Sequence, residues 1–181
     1  MKRLLWDDYA GTASRPTCAA RAFAAWILAA ILAWAPLAAA SATLPPAEDL
    51  SRDASQMRDA GQPMVVLFSQ RSCGWCDRAR VQLAPMAREV ARQGGVVFRQ
   101  IDIDRDAPLV DFSGQGTSHR RFSRDEGVRF TPTVIVFGPD GRQLAEPILG
   151  MRLPDFYAHY VGQAIDQARN AMMTNIEDAG K

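Results

Sequence analysis

An α/β fold built on a mixed central sheet is predicted for this chain, with helices on both sides of the sheet. Three observations predict it. The apolar run Met64–Phe68 is followed by a helix-periodic stretch and then by a second strand-like run, Val96–Ile103. A third run, Val134–Phe137, leads through Pro139-Asp140-Gly141 into the segment Arg142–Leu149, as in a hairpin. Apolar residues at helical spacing stand at both ends of this block. The first two strands are joined by a helical crossover and so pair in parallel, whereas the last two form an antiparallel hairpin. The resulting element order is α-β-α-β-α-β-β-α.

Each element has a local reason. Leu50, Ala54 and Met57 recur at i, i+4 and i+7 and predict an opening helix that stops near Gly61. Met64–Phe68 is uninterruptedly apolar, as expected of a strand buried on both faces. The following helix carries Ala79, Leu83, Met86 and Val90 on one face; Pro85 is expected to kink or break it, and Gly94-Gly95 to end it. Residues Arg105–Arg124 are polar, contain Gly114 and Gly116, and read as an insertion, with a short helix over Ser118–Glu126 leading to Gly127. Pro154 opens a last helix with Phe156, Tyr160, Ala164 and Ala168 along one side.

The 181 residues are 48% apolar and 23% charged, which suits one globular domain behind a leader. Lys2, Arg3, Arg15 and Arg21 make the amino terminus basic, Ala22–Ala35 is apolar, and Pro36 precedes a small-residue tract with an A-x-A site at Ala40-Ser41-Ala42. These are the three parts of a secretory signal, and the apolar run is short for a membrane span. Two readings of this leader stay open: cleavage after export, and an uncleaved anchor that tethers the domain to the inner membrane, which the long basic n-region favours. The expected organisation is a signal segment at 1–42, a linker at 43–49 with Pro45-Pro46, a globular domain at 50–170 and a tail at 171–181. The expected location is the periplasm. The leader carries a net +2, so the overall +1 becomes −1 without it. No basic patch for nucleic acid remains.

The residues that carry chemistry are Cys73-Gly74-Trp75-Cys76. A C-x-x-C at a strand-to-helix junction places its first sulfur where backbone N–H groups and the helix dipole favour negative charge. Such surroundings lower a thiol's pKa, and the thiolate is the species that attacks disulfides. Haem attachment requires a histidine where Asp77 stands. A structural zinc site needs four ligands, while the chain offers only Cys18 besides the pair, together with His119 and His159 at no ligand spacing. An iron–sulfur cluster lacks thiols. A purely structural bond across so short a loop constrains the unfolded chain little. Cys18 lies ahead of the apolar run and leaves with the leader if that is cut. Redox chemistry is the reading left, with Cys73 as nucleophile, Cys76 as the resolving thiol, and no cofactor or resident metal. Arg71 is either a source of positive potential near Cys73 or a solvated charge, and Asp77 either opposes that potential or complements the first helical turn. Trp75 is expected on the surface. Both histidines read as solvated or hydrogen-bonded bystanders.

Taken together, Cys73-Gly74-Trp75-Cys76 at a helix start, Gly127-Val128-Arg129-Phe130-Thr131-Pro132-Thr133 before a strand, and the Pro139-Asp140-Gly141 hairpin resemble a thioredoxin-fold thiol:disulfide oxidoreductase. The long segment between C-x-x-C and Thr-Pro is similar to the SoxW-like, exported branch of thioredoxins. The resemblance covers roughly residues 50 to 170. It implies the thioredoxin fold with an insertion before the strand that follows Pro132, a cis Thr131–Pro132 bond packed against a Cys73–Cys76 disulfide, and a substrate-binding surface made of Gly74, Trp75, Thr131 and Pro132. It also implies protein thiols and disulfides as substrates. Two departures stand out. Leu67 occupies the position where such proteins carry a buried acid, and Ser72 replaces the tryptophan that usually precedes the first cysteine. With no cation between the cysteines and no nucleotide-binding pattern, the expected direction is reduction, supplied by a membrane electron carrier. Disulfide oxidation or isomerisation, a Cu(I) metallochaperone using the same two thiols and a methionine, and a redox-inert binding module are the alternatives.

Overall fold

The computed structural model describes residues 43–179, with side chains to Thr174; the leader and its cleavage site lie outside the described residues. The chain runs α1 (Leu50–Ala60), β1 (Met64–Ser69), α2 (Gly74–Gln93), β2 (Val97–Asp102), β3 (Pro108–Val110), β4 (Gly116–Ser118), α3 (His119–Asp125), β5 (Thr133–Phe137), β6 (Ile148–Leu149), a single 3-10 turn (Pro154–Phe156) and α4 (Tyr157–Ala179). Four strands form one sheet in the order β2-β1-β5-β6, with β1 and β2 parallel and the other pairs antiparallel. This is the thioredoxin fold, in the mixed-sheet α/β class that the sequence predicts.

Strand β1 explains the layering. It is central and buried along its whole length, so alternate side chains feed two cores. Val65 and Leu67 pack with Ala79 and Leu83 of α2 and with Tyr157, Val161 and Ala168 of α4. Met64, Val66 and Phe68 pack on the other side with Leu50 and Met57 of α1 and Phe122 of α3. On that second side the rings of Phe68, Phe112, Phe122 and Phe137 cluster at centroid spacings of 5.3 to 6.5 Å. Helix α1 starts at Asp49, whose carboxylate accepts the Arg52 N–H, and stops at Gly61 in the left-handed region. The Arg52 amide and the Ser51 hydroxyl hold the Asp49 carboxyl below its ordinary pKa.

Six expectations need correction. Residues 43–49 are not a free linker. Leu44 and Ala47 are buried, and the segment adds to the outer edge of β2, where Gln100 N–H donates to the Pro45 carbonyl at 2.8 Å and Ala47 N–H to the Gln100 carbonyl at 2.9 Å. Covering an otherwise open sheet edge is the physical reason. Pro85 does not break α2, which runs unbroken from Gly74 to Gln93. Pro85 and Val81 are both exposed, so the Val81 carbonyl that loses its N–H partner faces water. The insertion is more ordered than its polarity suggests, because β3 and β4 form a small hairpin before α3. The partner strand of β5 shrinks to Ile148–Leu149 plus one bridge at Gln143, since Pro147 has no N–H to give the ladder. Finally, α4 buries Tyr157, Val161, Ala164, Ile165 and Ala168, while Phe156 and Tyr160 are exposed. The expected stripe therefore holds at Ala164 and Ala168 and fails at Phe156 and Tyr160, where Tyr157 and Val161 are buried instead. The helix also passes residue 170 without a break, so the boundary expected there falls inside α4.

His119 ties these parts together. It is buried; its Nδ1 accepts the Asp102 N–H at 3.0 Å, which leaves the proton on Nε2 to donate to the Ala47 carbonyl at 2.8 Å. The ring therefore bolts residues 43–49 to both β2 and α3. Of the two roles expected for it, hydrogen bonding is the one it plays. Replacing His119 with Ala leaves the Asp102 N–H and the Ala47 carbonyl unpaired. The expected cost is about 2–4 kcal/mol in a denaturant titration, with faster proteolysis within residues 43–49 than elsewhere in the domain.

Candidate active site

The site is built at the carboxy-terminal end of β1. After Ser69 the chain turns through Gln70, Arg71 and Ser72, and Ser72 takes a left-handed conformation at φ 53° to bring Cys73 to the head of α2. Cys73 is the residue that caps this helix: its sulfur accepts the Cys76 N–H at 3.1 Å. The sulfur thus sits where unpaired amides and the helix dipole favour negative charge. Cys73 is half-buried and Cys76 fully buried, and the two are joined by a disulfide. One sulfur therefore faces the outside and the other is shielded behind it.

Opposite the pair lies the loop that enters β5. The Thr131–Pro132 peptide is cis. Thr131 Oγ1 stands 3.7 Å from Cys73 Sγ, and Pro132 is buried. The Pro132 carbonyl accepts the Gly150 N–H at 2.8 Å, which brings the end of β6 to the same place. Neither the N–H nor the C=O of Thr131 bonds to any described residue, so both are free to pair with an extended peptide beside Cys73.

The structure brings Cys73, Gly74, Trp75, Cys76, Thr131 and Pro132 into one locality. Gly74 is exposed as the first residue of α2. Trp75 is 51% exposed, and the Arg78 guanidinium lies 4.6 Å over its ring and steadies it. Arg71 does not act on Cys73 as an unpaired charge. Its Nε bonds to Asp104 Oδ2 at 3.0 Å, and the side chain is largely in solvent. Burial tends to raise the Asp104 carboxyl, but the Arg71 hydrogen bonds outweigh it and hold the pKa below its ordinary value. Leu67 is fully buried beneath α2, so no acid stands there. His159 is exposed on α4, away from the core. Met64 lies in the core on the α1 side of the sheet and Met86 packs against the core on the α2 side, so both serve as packing residues.

Three features escape a reading of the motifs. Phe130, adjoining Thr131, is 68% exposed, a large apolar ring held in water next to the cysteines. Its signal was its position inside the Gly127–Thr133 segment, where an aromatic residue has no core to face. Leu149, 57% exposed, and Gly150 reach the site only through sheet register, because Leu149 pairs with Thr133. From there an open groove of about 670 Å3 runs between β6 and α4, past Leu153 and Tyr160. Arg80 lies one helical turn beyond Cys76, and the i, i+4 spacing was its only signal.

Residues 50–165 match the family model of the thioredoxin-like domain. Among solved structures, a thioredoxin of Fasciola hepatica is 16% identical, covering 69% of this chain and 99% of its own, with a TM-score of 0.49. Mitochondrial thioredoxin 3 of Saccharomyces cerevisiae in its oxidised form is 17% identical over 68% of this chain and 93% of its own, with a TM-score of 0.46. Thioredoxin O2 of Arabidopsis thaliana, also oxidised, is 16% identical over 68% and 96%, with a TM-score of 0.47. No curated protein matches the chain.

An exposed ring beside a reactive sulfur acts on large partners and not on small ones. Phe130→Ala is therefore expected to lower kcat/KM for a folded protein disulfide by about 5–10-fold, in line with loss of one aromatic contact. The rate with a small aromatic disulfide, measured in parallel, should change less than twofold.

Proposed function

From its membership of the thioredoxin-like domain family, to which this chain belongs, we propose that the protein is an exported thiol:disulfide oxidoreductase that reduces protein disulfides. The observation that carries the reading is the unequal pair of sulfurs. Cys73 caps α2, faces the surface and meets the Thr131 loop, while Cys76 is buried one turn behind it.

In the reduced protein the Cys73 thiolate attacks one sulfur of a substrate disulfide. The substrate's S–S bond breaks, its second sulfur departs as a thiolate, and a mixed disulfide to Cys73 forms. Cys76, ionised in turn, attacks the Cys73 sulfur. The substrate is released with both thiols reduced, and the chain is left with the Cys73–Cys76 bond. Trp75, Thr131 and Pro132 form the surface on which the substrate strand lies, with backbone pairing at Thr131. Electrons return from a membrane carrier that reduces the disulfide again.

Export and the place of the domain rest on the leader, with its basic segment, apolar run and A-x-A site. The proposed site of action is the periplasm, with the domain either released or tethered through an uncut leader. The resemblance to the SoxW-like branch supports a role in keeping exported thiols or assembly intermediates reduced. Among the described residues no helix is long and apolar enough to cross a membrane.

The test is a pair of cysteine variants assayed on a protein disulfide. Cys76→Ser, reduced beforehand and freed of dithiothreitol before it meets the substrate, should accumulate a mixed disulfide seen as a mass adduct on Cys73, and Cys73→Ser with dithiothreitol present as reductant should fall to the uncatalysed rate. Full turnover by Cys73→Ser would remove the dithiol mechanism, and a wild-type rate no higher than the uncatalysed one would leave a redox-inert binding module.

A further inference from the structure

We infer that Arg80 is a positioning residue that favours the ionised form of Cys76 during release of the mixed disulfide, an inference that rests on the dithiol reading above. It starts from the face of the sheet beneath α2. Residues 65, 67 and 69 of β1 and 98, 100 and 102 of β2 alternate onto this face, and Val65, Leu67 and Phe98 lie in the core shared with Ala79 and Leu83. Three polar residues break that apolar surface, Ser69, Gln100 and, at its end, Asp102, of which the first two matter here. Ser69 is fully buried at the end of β1, and Gln100 pairs with Leu67.

Both are turned to one cation. Arg80 Nη1 donates to Ser69 Oγ at 2.8 Å and reaches Gln100 Oε1 at 3.5 Å, while Nη2 bonds to the Asp77 carboxylate. The Arg80 side chain is only 18% exposed. Helical side chains lean towards the amino terminus, and these bonds draw the guanidinium back over the first turn, where Cys76 is buried on the same side of α2. Arginine keeps its charge at every working pH. Leu67 beneath α2 is apolar, and the charges offered to this face are the Arg80 guanidinium and, at the end of β2, the Asp102 carboxylate held by Gln100 and Arg105.

The other charges nearby are accounted for. Asp77 is largely in solvent, which weakens its opposition to Arg80. Asp102 is held by Gln100 and Arg105, Arg78 lies over Trp75, and Arg71 and Asp104 bind each other. An acid accepts the proton of a buried thiol, whereas a cation lowers the free energy of the thiolate itself. Here the Cys76 proton goes to water and the thiolate forms beside the guanidinium. It then attacks the Cys73 sulfur, forming the Cys73–Cys76 bond and breaking the bond to the substrate. The electron pair leaves on the substrate sulfur, which takes up a proton from water.

The experiment reads Cys76 alone. In protein carrying both Cys18→Ser and Cys73→Ser, the ultraviolet absorbance of the thiolate is followed against pH, with and without Arg80→Gln. The substitution is expected to raise the midpoint and lower the thiolate fraction at neutral pH by roughly three- to tenfold. Arg80→Lys, which keeps the charge, should retain at least half of the effect, and Ser69→Ala, which frees the guanidinium, should give a smaller rise. An unmoved midpoint in Arg80→Gln, or a shift in Arg80→Lys as large as that in Arg80→Gln, overturns the inference. If Cys76→Ser still traps substrate on Cys73, such a result removes only the role of Arg80. If trapping also fails, the dithiol reading itself is at fault.

Discussion

The amide of Cys76 pointing at the sulfur of Cys73 is the interaction on which the site depends. It exists because β1 ends immediately before the turn that starts α2, and because a helix start has amides with no partner inside the helix. In the oxidised protein this amide binds a disulfide sulfur; in the reduced protein it faces a thiolate, to which a hydrogen bond is worth more. Everything around it serves to keep the helix head in place. The central strand supplies a platform buried on both faces, and Leu67, Ala79 and Leu83 fasten α2 to it. The Thr131 loop closes over the sulfur from the other side.

The same constraint explains what is exposed. A half-buried nucleophile with a free backbone edge beside it must be reached by a chain in extended form, and large side chains around such an edge stay in water until a partner covers them. Trp75 and Phe130 are the two aromatic residues in this position. Single exposed apolar residues need no explanation, but two beside the reactive sulfur fit a docking surface.

Much of this was legible in the sequence, for identifiable reasons. Met64–Phe68 could only be a strand buried on both faces, and a C-x-x-C directly after it had to lie at a helix head. The Thr131-Pro132 pair was legible through the family pattern rather than through its own chemistry. What stayed hidden depended on partners far away in the chain. Residues 43–49 looked like a tether because Pro45-Pro46 suits a linker, yet their bonds go to Gln100 and, through His119, to a helix some seventy residues on. The stripe of α4 was legible at Ala164 and Ala168 but not at its start, where Tyr157 and Val161 rather than Phe156 and Tyr160 face the sheet. Arg80 looked like any helical surface arginine until Ser69 and Gln100 were seen beneath it.

A helix-head sulfur, a buried second sulfur and a cation at the polar end of the face beneath α2 make up the pair, whose proposed direction is reduction. Arg80 by itself makes the dithiol form more stable and so makes the pair more oxidising; Asp77 beside it offsets part of that effect. The equilibrium reduction potential of Cys73–Cys76, measured against glutathione and followed by Trp75 fluorescence, is the most direct test. The account predicts a value in the reductase range, between roughly −270 and −230 mV. A value near −120 mV, that of a strong oxidant, would contradict it.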